Sequence, residues 1–378
     1  MATPLPGDSQ VMLTPPDRTE TLHLMRSVVG AAAPADGPTE LQQLLLRALF
    51  VSMTGHDLDP AAAEPIGAEA AAAGLARRNL EFRTRIVQVM LLAGLVLAPM
   101  PAEVAARLRA FADELGVDDE MISIAEDYAA GSLDLAAADF ARNGYLSSID
   151  PARLKAVHAA ALGTAWGQVV DDASLAGRWT SLEDLPVGTI GRGVADFYRD
   201  RGFVYPGLVG SAPPLLAQHD WVHVLAGYGT TVENEIEVFG FIARANDDPR
   251  AFSMLAMVVS LFETGYLATG AGLFEADPGH LQRSGMPVRL ADAMRRGALV
   301  TGSRDFLELD WFAVADRPLV VLRQEIGVSP KDGAAVAAGS SGPWQSGGIS
   351  PFQRRAAEDR ARSLGQPHRS WQPDATRD

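Results

Sequence analysis

The 378-residue chain contains no cysteine. Disulfides, thiolate zinc fingers, iron–sulfur ligation and a cysteine nucleophile are thereby excluded, so any metal has to be held by histidine nitrogens and carboxylate oxygens. Lysine is nearly absent as well, represented only by Lys155 and Lys331. Positive charge as a whole is scarce: 32 Lys and Arg stand against 47 Asp and Glu, a formal net charge of −15. That balance excludes a broad nucleic-acid footprint and repels anionic surfaces unless a local patch overrides the total. Long apolar runs are missing too. The most apolar run, Ile86 to Ala98, is interrupted by Gln88 and closed by Pro99, several residues short of the roughly 20 needed to span a bilayer. A second stretch, Phe252 to Phe274, carries Glu263 and several glycines and reads as a helix lining an apolar cavity or core. Met1 to Pro16 has no basic segment followed by an apolar core, so the expected location is cytoplasmic, with peripheral contact to a membrane allowed. No alternating strand pattern of useful length is present.

What is present is helical periodicity, and the expected fold class is all-α, with two helical domains between a disordered N-terminal arm and a disordered C-terminal tail. Residues 1–38, rich in Pro, Thr, Gly and Ala, read as the weakly ordered arm, with one short amphipathic piece at Leu22 to Val29. From Thr39 the residues Leu41, Leu44, Leu45 and Leu49 follow one helical face. Val104, Leu108, Phe111 and Leu115 form another stripe that stops at Gly116, before Asp118, Asp119 and Glu120 open a further helix. Residues 39–150 are therefore expected to be a helical accessory domain. Its Gly55-His56-Asp57-Leu58-Asp59-Pro60 turn and its helix ending in Leu115-Gly116-Val117 faintly resemble a tellurite-resistance-B-like helical domain. The acidic, metal-holding positions of that domain are mostly replaced here, for example by Val96-Leu97-Ala98-Pro99. A second helical domain is expected over residues 151–328, punctuated by Pro186, Gly188, Gly202, Pro206, Pro213, Pro214, Gly227 and Gly229. Residues 329–378 are rich in Ser, Gly, Pro and Arg and read as the disordered tail, Trp344 and Trp371 included.

The informative residues are His219, Asp220, His223 and, after eleven intervening residues, Glu235. On a helix starting near Pro213, the two histidines share a face and Asp220 lies one step round its edge. Gly227-Tyr228-Gly229 can reverse the chain. On the helix that follows, Val232, Glu235, Ile236, Phe239 and Ile242 fall within one arc, whereas Glu233 and Glu237 lie opposite. Glu235 is thus the inward glutamate, and an inward carboxylate on an apolar stripe is costly unless paired or metal-bound. Two nitrogens and two oxygens suit Zn²⁺ and also accept Fe²⁺ or Mn²⁺. The competing reading is a buried, hydrogen-bonded histidine pair. A His-Asp doublet is also found in HD-type phosphohydrolases, for which His158 and Asp247 or Asp248 would have to complete the ligand set. Arg192, Arg295 and Arg296 are candidate anion anchors, or simply solvated surface charges.

His219-Asp220-Trp221-Val222-His223, then Val224-Leu225-Ala226-Gly227-Tyr228-Gly229-Thr230, then Glu235, resembles the signature of the ubiquinone (coenzyme Q) biosynthesis protein family, Coq4-like. Leu185-Pro186-Val187-Gly188-Thr189-Ile190-Gly191-Arg192 with Phe197 is similar to the family's upstream helix. Leu309-Asp310-Trp311, Pro318 to Arg323 and Ile326-Gly327-Val328 are similar to its C-terminal helix pair. The likeness covers residues 162–328. It implies a metal held by His219, Asp220, His223 and Glu235 beside a lipid-accepting cavity. It also implies a role in ubiquinone biosynthesis, as organiser of the biosynthetic complex and in oxidative decarboxylation at C1 of a prenylated ring. The implied partners are an isoprenoid or quinone-precursor lipid and other quinone-biosynthesis proteins, and a homodimer is compatible with this reading. Met257 and Leu261, on the Phe252 to Phe274 stretch, are the candidate lipid contacts. Two departures stand out: Pro214-Leu215-Leu216-Ala217-Gln218 replaces a basic and aromatic segment, and Phe312 replaces an acidic residue. A relative acting on another isoprenoid fits them. The alternative function is a non-catalytic isoprenoid-binding scaffold with a structural metal.

Overall fold

The computed structural model describes residues 14–97, 100–117, 172–208, 211–212, 214–246, 249–264, 266–269, 272–275, 279–300, 302 and 304–368. Among the described residues the fold is all-α. An N-terminal block contains α1 (Arg18–Ala32), α2 (Glu40–Thr54), α3 (Ala68–Gly74), α4 (Leu80–Leu95) and α5 (Ala102–Leu115). Then come α6 (Ala173–Thr180), α7 (Ile190–Arg201), α8 (Pro214–Ala226), α9 (Val232–Ala245) and α10 (Pro249–Thr264). The chain continues through α11 (Met286–Ala298), α12 (Leu319–Ile326), α13 (Gly333–Ala337) and α14 (Pro351–Ser363). No helix among the described residues is long and apolar enough to cross a membrane.

Local chemistry sets many of these boundaries. Thr39 opens α2 with a reciprocal capping box to Gln42, and Gly55 closes it in the left-handed conformation. Gln42 then turns inward, and its side-chain amide donates to the carbonyls of Ala32 at 2.9 Å and Ala93 at 2.7 Å, joining α1 and α4. The N-terminal block does not stand apart: α2 packs on α11 and α4 packs on α10. One continuous hydrophobic core runs from Leu24 to Trp344.

Three expectations are corrected. The arm expected over residues 1–38 contains α1, capped by Asp17 and burying Leu24, Met25, Val28 and Val29, with Arg78 clamping Glu20 at 2.5 Å. Averaging composition over the flanking prolines masked a helix whose apolar face is four residues wide. The apolar stretch from Phe252 is helical only to Thr264. Tyr266–Thr269 and Gly272–Glu275 form an antiparallel two-stranded hairpin, Tyr266 facing Glu275, in a segment punctuated by Gly265, Gly270 and Gly272. Met257 and Leu261 fall on α10 by backbone, and their side chains lie outside the described residues.

The third correction concerns the tail expected from residue 329. Residues 329–368 are built into the fold, with α13, a strap over residues 338–350, and α14. Trp344 is buried and donates from Nε1 to Asp200 Oδ2 at 3.1 Å. The strap is anchored by Arg201, a fully buried residue at the end of α7. Its guanidinium donates to Thr230 Oγ1 at 2.7 Å, to the Pro343 carbonyl at 2.8 Å and to the Gly348 carbonyl at 3.1 Å, and lies 3.8 Å over the Phe197 ring. Gly- and Ser-rich composition reports a shortage of apolar surface. This strap is held instead by its carbonyls, which every sequence has.

Replacing Arg201 by Ala removes the donor to the buried Pro343 carbonyl and one of the donors to the Gly348 carbonyl, with an expected loss of about 3 kcal/mol in stability. Urea unfolding measures it, and chymotrypsin cleavage at Trp344 should accelerate in parallel. A change within roughly 0.5 kcal/mol, the range of an ordinary surface substitution, would show that the strap is held by something else.

Candidate metal centre

Helix α8 presents His219 and His223 on one face, and α9 returns alongside to bring in Glu235. The reversal between them is tightly specified. Gly227, at φ +75°, ends α8 in the left-handed conformation. A side chain at Gly229 would come within 2.6 Å of the Gly348 carbonyl of the strap, so only hydrogen fits there. Gly229 N donates to the Ser341 carbonyl and Thr230 N to the Gly348 carbonyl, both at 2.9 Å. The last carbonyls of α8 are capped by two arginines. Arg323 donates to Leu225 O at 2.7 Å and Val224 O at 3.1 Å, and Arg296 to Ala226 O at 2.8 Å. Both ends of the turn between α8 and α9 are therefore fixed by distant parts of the chain.

The three donors are dry: His219, His223 and Glu235 are 1%, 0% and 1% exposed. His219 Nδ1 donates to the Leu216 carbonyl, and His223 Nδ1 faces the Tyr228 carbonyl at 3.3 Å. A proton on each Nδ1 leaves the Nε2 lone pair pointing inward, which is the orientation found in metal-ligating histidines. Nε2 of His219 lies 3.5 Å and Nε2 of His223 lies 3.3 Å from Glu235 Oε2. Among the described residues His223 Nε2 makes no hydrogen bond. One donor atom from each residue lies within 4.8 Å of the others. Two lone pairs facing a carboxylate repel one another unless a cation or an added proton stands between them. Burial acts to raise the Glu235 pKa, but the His223 charge and contacts with both imidazoles outweigh it and hold the carboxyl well below the usual range.

The donor set fits a divalent ion. Two imidazole nitrogens and one carboxylate oxygen are the ligand types of Zn²⁺, with Fe²⁺ and Mn²⁺ also accommodated. Aromatic rings wall the cluster, with Phe239 stacked on His219 at 5.3 Å and Phe197 on His223 at 5.5 Å.

Asp220 occupies the margin. Its Oδ1 is 3.8 Å from His219 Nε2, and its Oδ2 accepts from the Tyr198 hydroxyl at 2.5 Å. The structure thus gathers His219, His223 and Glu235 into one cluster and gives one Asp220 oxygen to Tyr198. Of the candidate anion anchors, Arg192 pairs with Asp196 and Arg295 with Asp292, while Arg296 is buried and holds the carbonyls of Ala226 and Ser329. His158, Asp247 and Asp248 lie outside the described residues. Tyr198 and Arg201 are supporting residues that the motif reading missed. Their signal was present as a stripe, with Val194, Phe197, Tyr198 and Arg201 at i, i+3, i+4 and i+7 of one helix.

Fold and site together define an all-α protein with a buried two-histidine, one-glutamate cluster suited to a metal ion. No protein-family model and no curated protein matches the chain. Among solved structures, one from Nostoc punctiforme that carries the name of a ubiquinone biosynthesis protein aligns at 18% identity with a TM-score of 0.30. The alignment covers 66% of this chain and 98% of that one.

Purified protein should contain about one equivalent of zinc, iron or manganese, and His223→Ala should lose it, as read by inductively coupled plasma mass spectrometry. Wild-type protein free of metal after expression in metal-supplemented medium would remove the ligand assignment.

Proposed function

We propose that this chain is a Coq4-like metalloprotein of ubiquinone biosynthesis that binds a polyprenylated aromatic acid and supports oxidative decarboxylation at ring C1. The observation that carries this reading is the convergence of His219, His223 and Glu235 in a dry core, at three of the four metal positions implied by the family signature. In this reading the resident ion is Zn²⁺, with Fe²⁺ or Mn²⁺ as substitutes, and its contribution when bound is to polarise a carboxylate or phenolate oxygen. The chain's own residues do the rest. The two Nδ1–H contacts orient the imidazoles, Tyr198 holds one oxygen of Asp220, and the rings of Phe197 and Phe239 exclude water from the imidazole faces. Zinc carries no redox chemistry, so the oxidising equivalents come from a separate oxidant or from a redox-active ion in its place. The lipid partner, contact with other quinone-biosynthesis proteins, a homodimer and peripheral contact with the membrane belong to the same proposal.

A second reading is favoured by the depth of burial. With all three donors nearly inaccessible, a bound ion would act as a staple between α8 and α9, and the protein would be a non-catalytic isoprenoid-binding scaffold.

Glu235→Gln keeps the size of the side chain and removes its charge. In cells lacking their own protein of this family, the wild-type chain should restore ubiquinone, and Glu235→Gln should reduce it at least tenfold at equal protein level and melting temperature. Restoration at the wild-type level by the variant would favour the scaffold. Failure of the wild-type chain to restore any ubiquinone would remove the pathway reading.

A further inference from the structure

A second candidate site lies away from the metal ligands. A cleft of about 540 Å³ opens between α7 and α14, a volume within the range of small-molecule sites. Four arginines line it, Arg192 and Arg199 from α7 and Arg354 and Arg360 from α14, and Phe203 and Tyr205 give it an aromatic wall. Three carboxylates, Glu183, Asp200 and Glu358, line it as well, and Asp196 adjoins it on α7.

Three of the four carboxylates nearby are engaged in hydrogen bonds. Asp196 accepts from Arg192 at 3.1 Å and from Arg199 at 2.5 Å. Asp200 accepts from Arg199 at 2.9 Å and from Trp344 at 3.1 Å. Glu183 accepts from the Tyr205 hydroxyl at 2.8 Å, and Glu358 lies 3.8 Å from His368. Arg360, half-buried in the wall, has no side-chain hydrogen bond or ion pair among the described residues. The cleft therefore offers planar N–H forks and an aromatic surface, a combination that recognises an oxyanion attached to a ring.

We propose that this cleft binds a small aromatic oxyanion, with the anionic group on Arg360 and the neighbouring arginines and the ring against Phe203 and Tyr205. None of the metal donors takes part, so the inference stands independently of the proposed function.

Calorimetric titration of the full chain tests it with four probes: benzoate, phenyl phosphate, inorganic phosphate and uncharged benzamide. At least one of benzoate and phenyl phosphate should bind one to one, and which of them binds distinguishes a carboxylate site from a phosphate site. Benzamide should not bind. Arg360→Gln should weaken binding about tenfold, the scale of one charge-assisted contact, and Phe203→Leu should weaken the ring-bearing ligand selectively. Arg360 makes no side-chain hydrogen bond or ion pair among the described residues, so its variant should melt with the wild type. Arg354→Gln supplies a second charge-removing variant with the same expected direction. The proposal is overturned if neither aromatic anion binds in the millimolar range, or if binding is unchanged in both arginine variants. Equal affinity for phenyl phosphate and inorganic phosphate would overturn the aromatic part.

Discussion

The constraint on which the rest of this structure depends is the placement of two imidazole nitrogens and a carboxylate a few ångströms apart with no water to screen them. In a dry interior these groups repel strongly unless charge is balanced at the point where they meet. Holding them there requires that α8 and α9 neither slide nor separate. The surroundings of the cluster read as the means of preventing this. The turn between the two helices is pinned by strap residues 341 and 348, its conformation is fixed by Gly227, and Arg296 and Arg323 cap the last carbonyls of α8. Elements that are far apart in sequence are thus recruited to one joint.

Buried charge recurs throughout the same domain. Arg201 lies between α7 and the strap, and Arg289 meets Glu237 at 2.7 Å, with Asn234 donating to the same oxygen at 2.8 Å. Such pairs add little net stability compared with well-packed apolar residues, because desolvation takes back most of the attraction. What they do provide is selectivity of arrangement, since a misplaced strap or a shifted α11 would leave a buried charge without its partner. The stabilising mass comes from elsewhere. Trp179, Tyr198, Trp221, Phe306, Trp311 and Phe312 form a connected aromatic cluster, with Trp221 stacked on Trp311 at 5.6 Å and Trp179 on edge to Phe312 at 5.6 Å. Phe312, the departure from the acidic residue expected after Asp310-Trp311, is one of its members and also carries Arg178 over its face.

The parts of this architecture that were legible in the sequence are those set by periodicity. The leucine stripe of α2 and the stop of α5 at Gly116 follow from spacing alone, and spacing put Glu235 on the same side as the histidines. It also set Glu237 on the opposite, outer side of α9, where the structure instead buries it against Arg289 because α9 is covered on nearly every face. Side-chain register, however, does not show which partner each carboxylate oxygen takes. Asp220 sits one residue from His219, yet its Oδ2 turns to Tyr198, and that choice depends on a helix packed from elsewhere in the chain. Composition was the weaker guide. It treated residues 18–32 and 333–363 as parts of an arm and a tail because it weighs apolar content, whereas α1 concentrates its apolar residues on one face. The strap instead relies on backbone carbonyls meeting Arg201 and on the Ser350 N–H donating to Gln353. Composition also gave no hint that the N-terminal block shares its core with α10 and α11, because contacts between distant helices leave no local mark.

Helix α7 brings these threads together. Its buried side supplies Phe197 against His223, Tyr198 to Asp220 and Arg201 to the strap, while its other side carries the Arg192, Asp196 and Arg199 group at the cleft. Tyr198 and Tyr205 stack at 5.4 Å, so the aromatic wall of the cleft and the residue that holds Asp220 are in direct contact. Interiors this densely packed do not deform continuously, and a displacement on one side of a helix is passed on as a shift of the whole element. Tyr198 and Phe197 thus stand between the contact of α14 with α7 and the His219, His223 and Glu235 cluster.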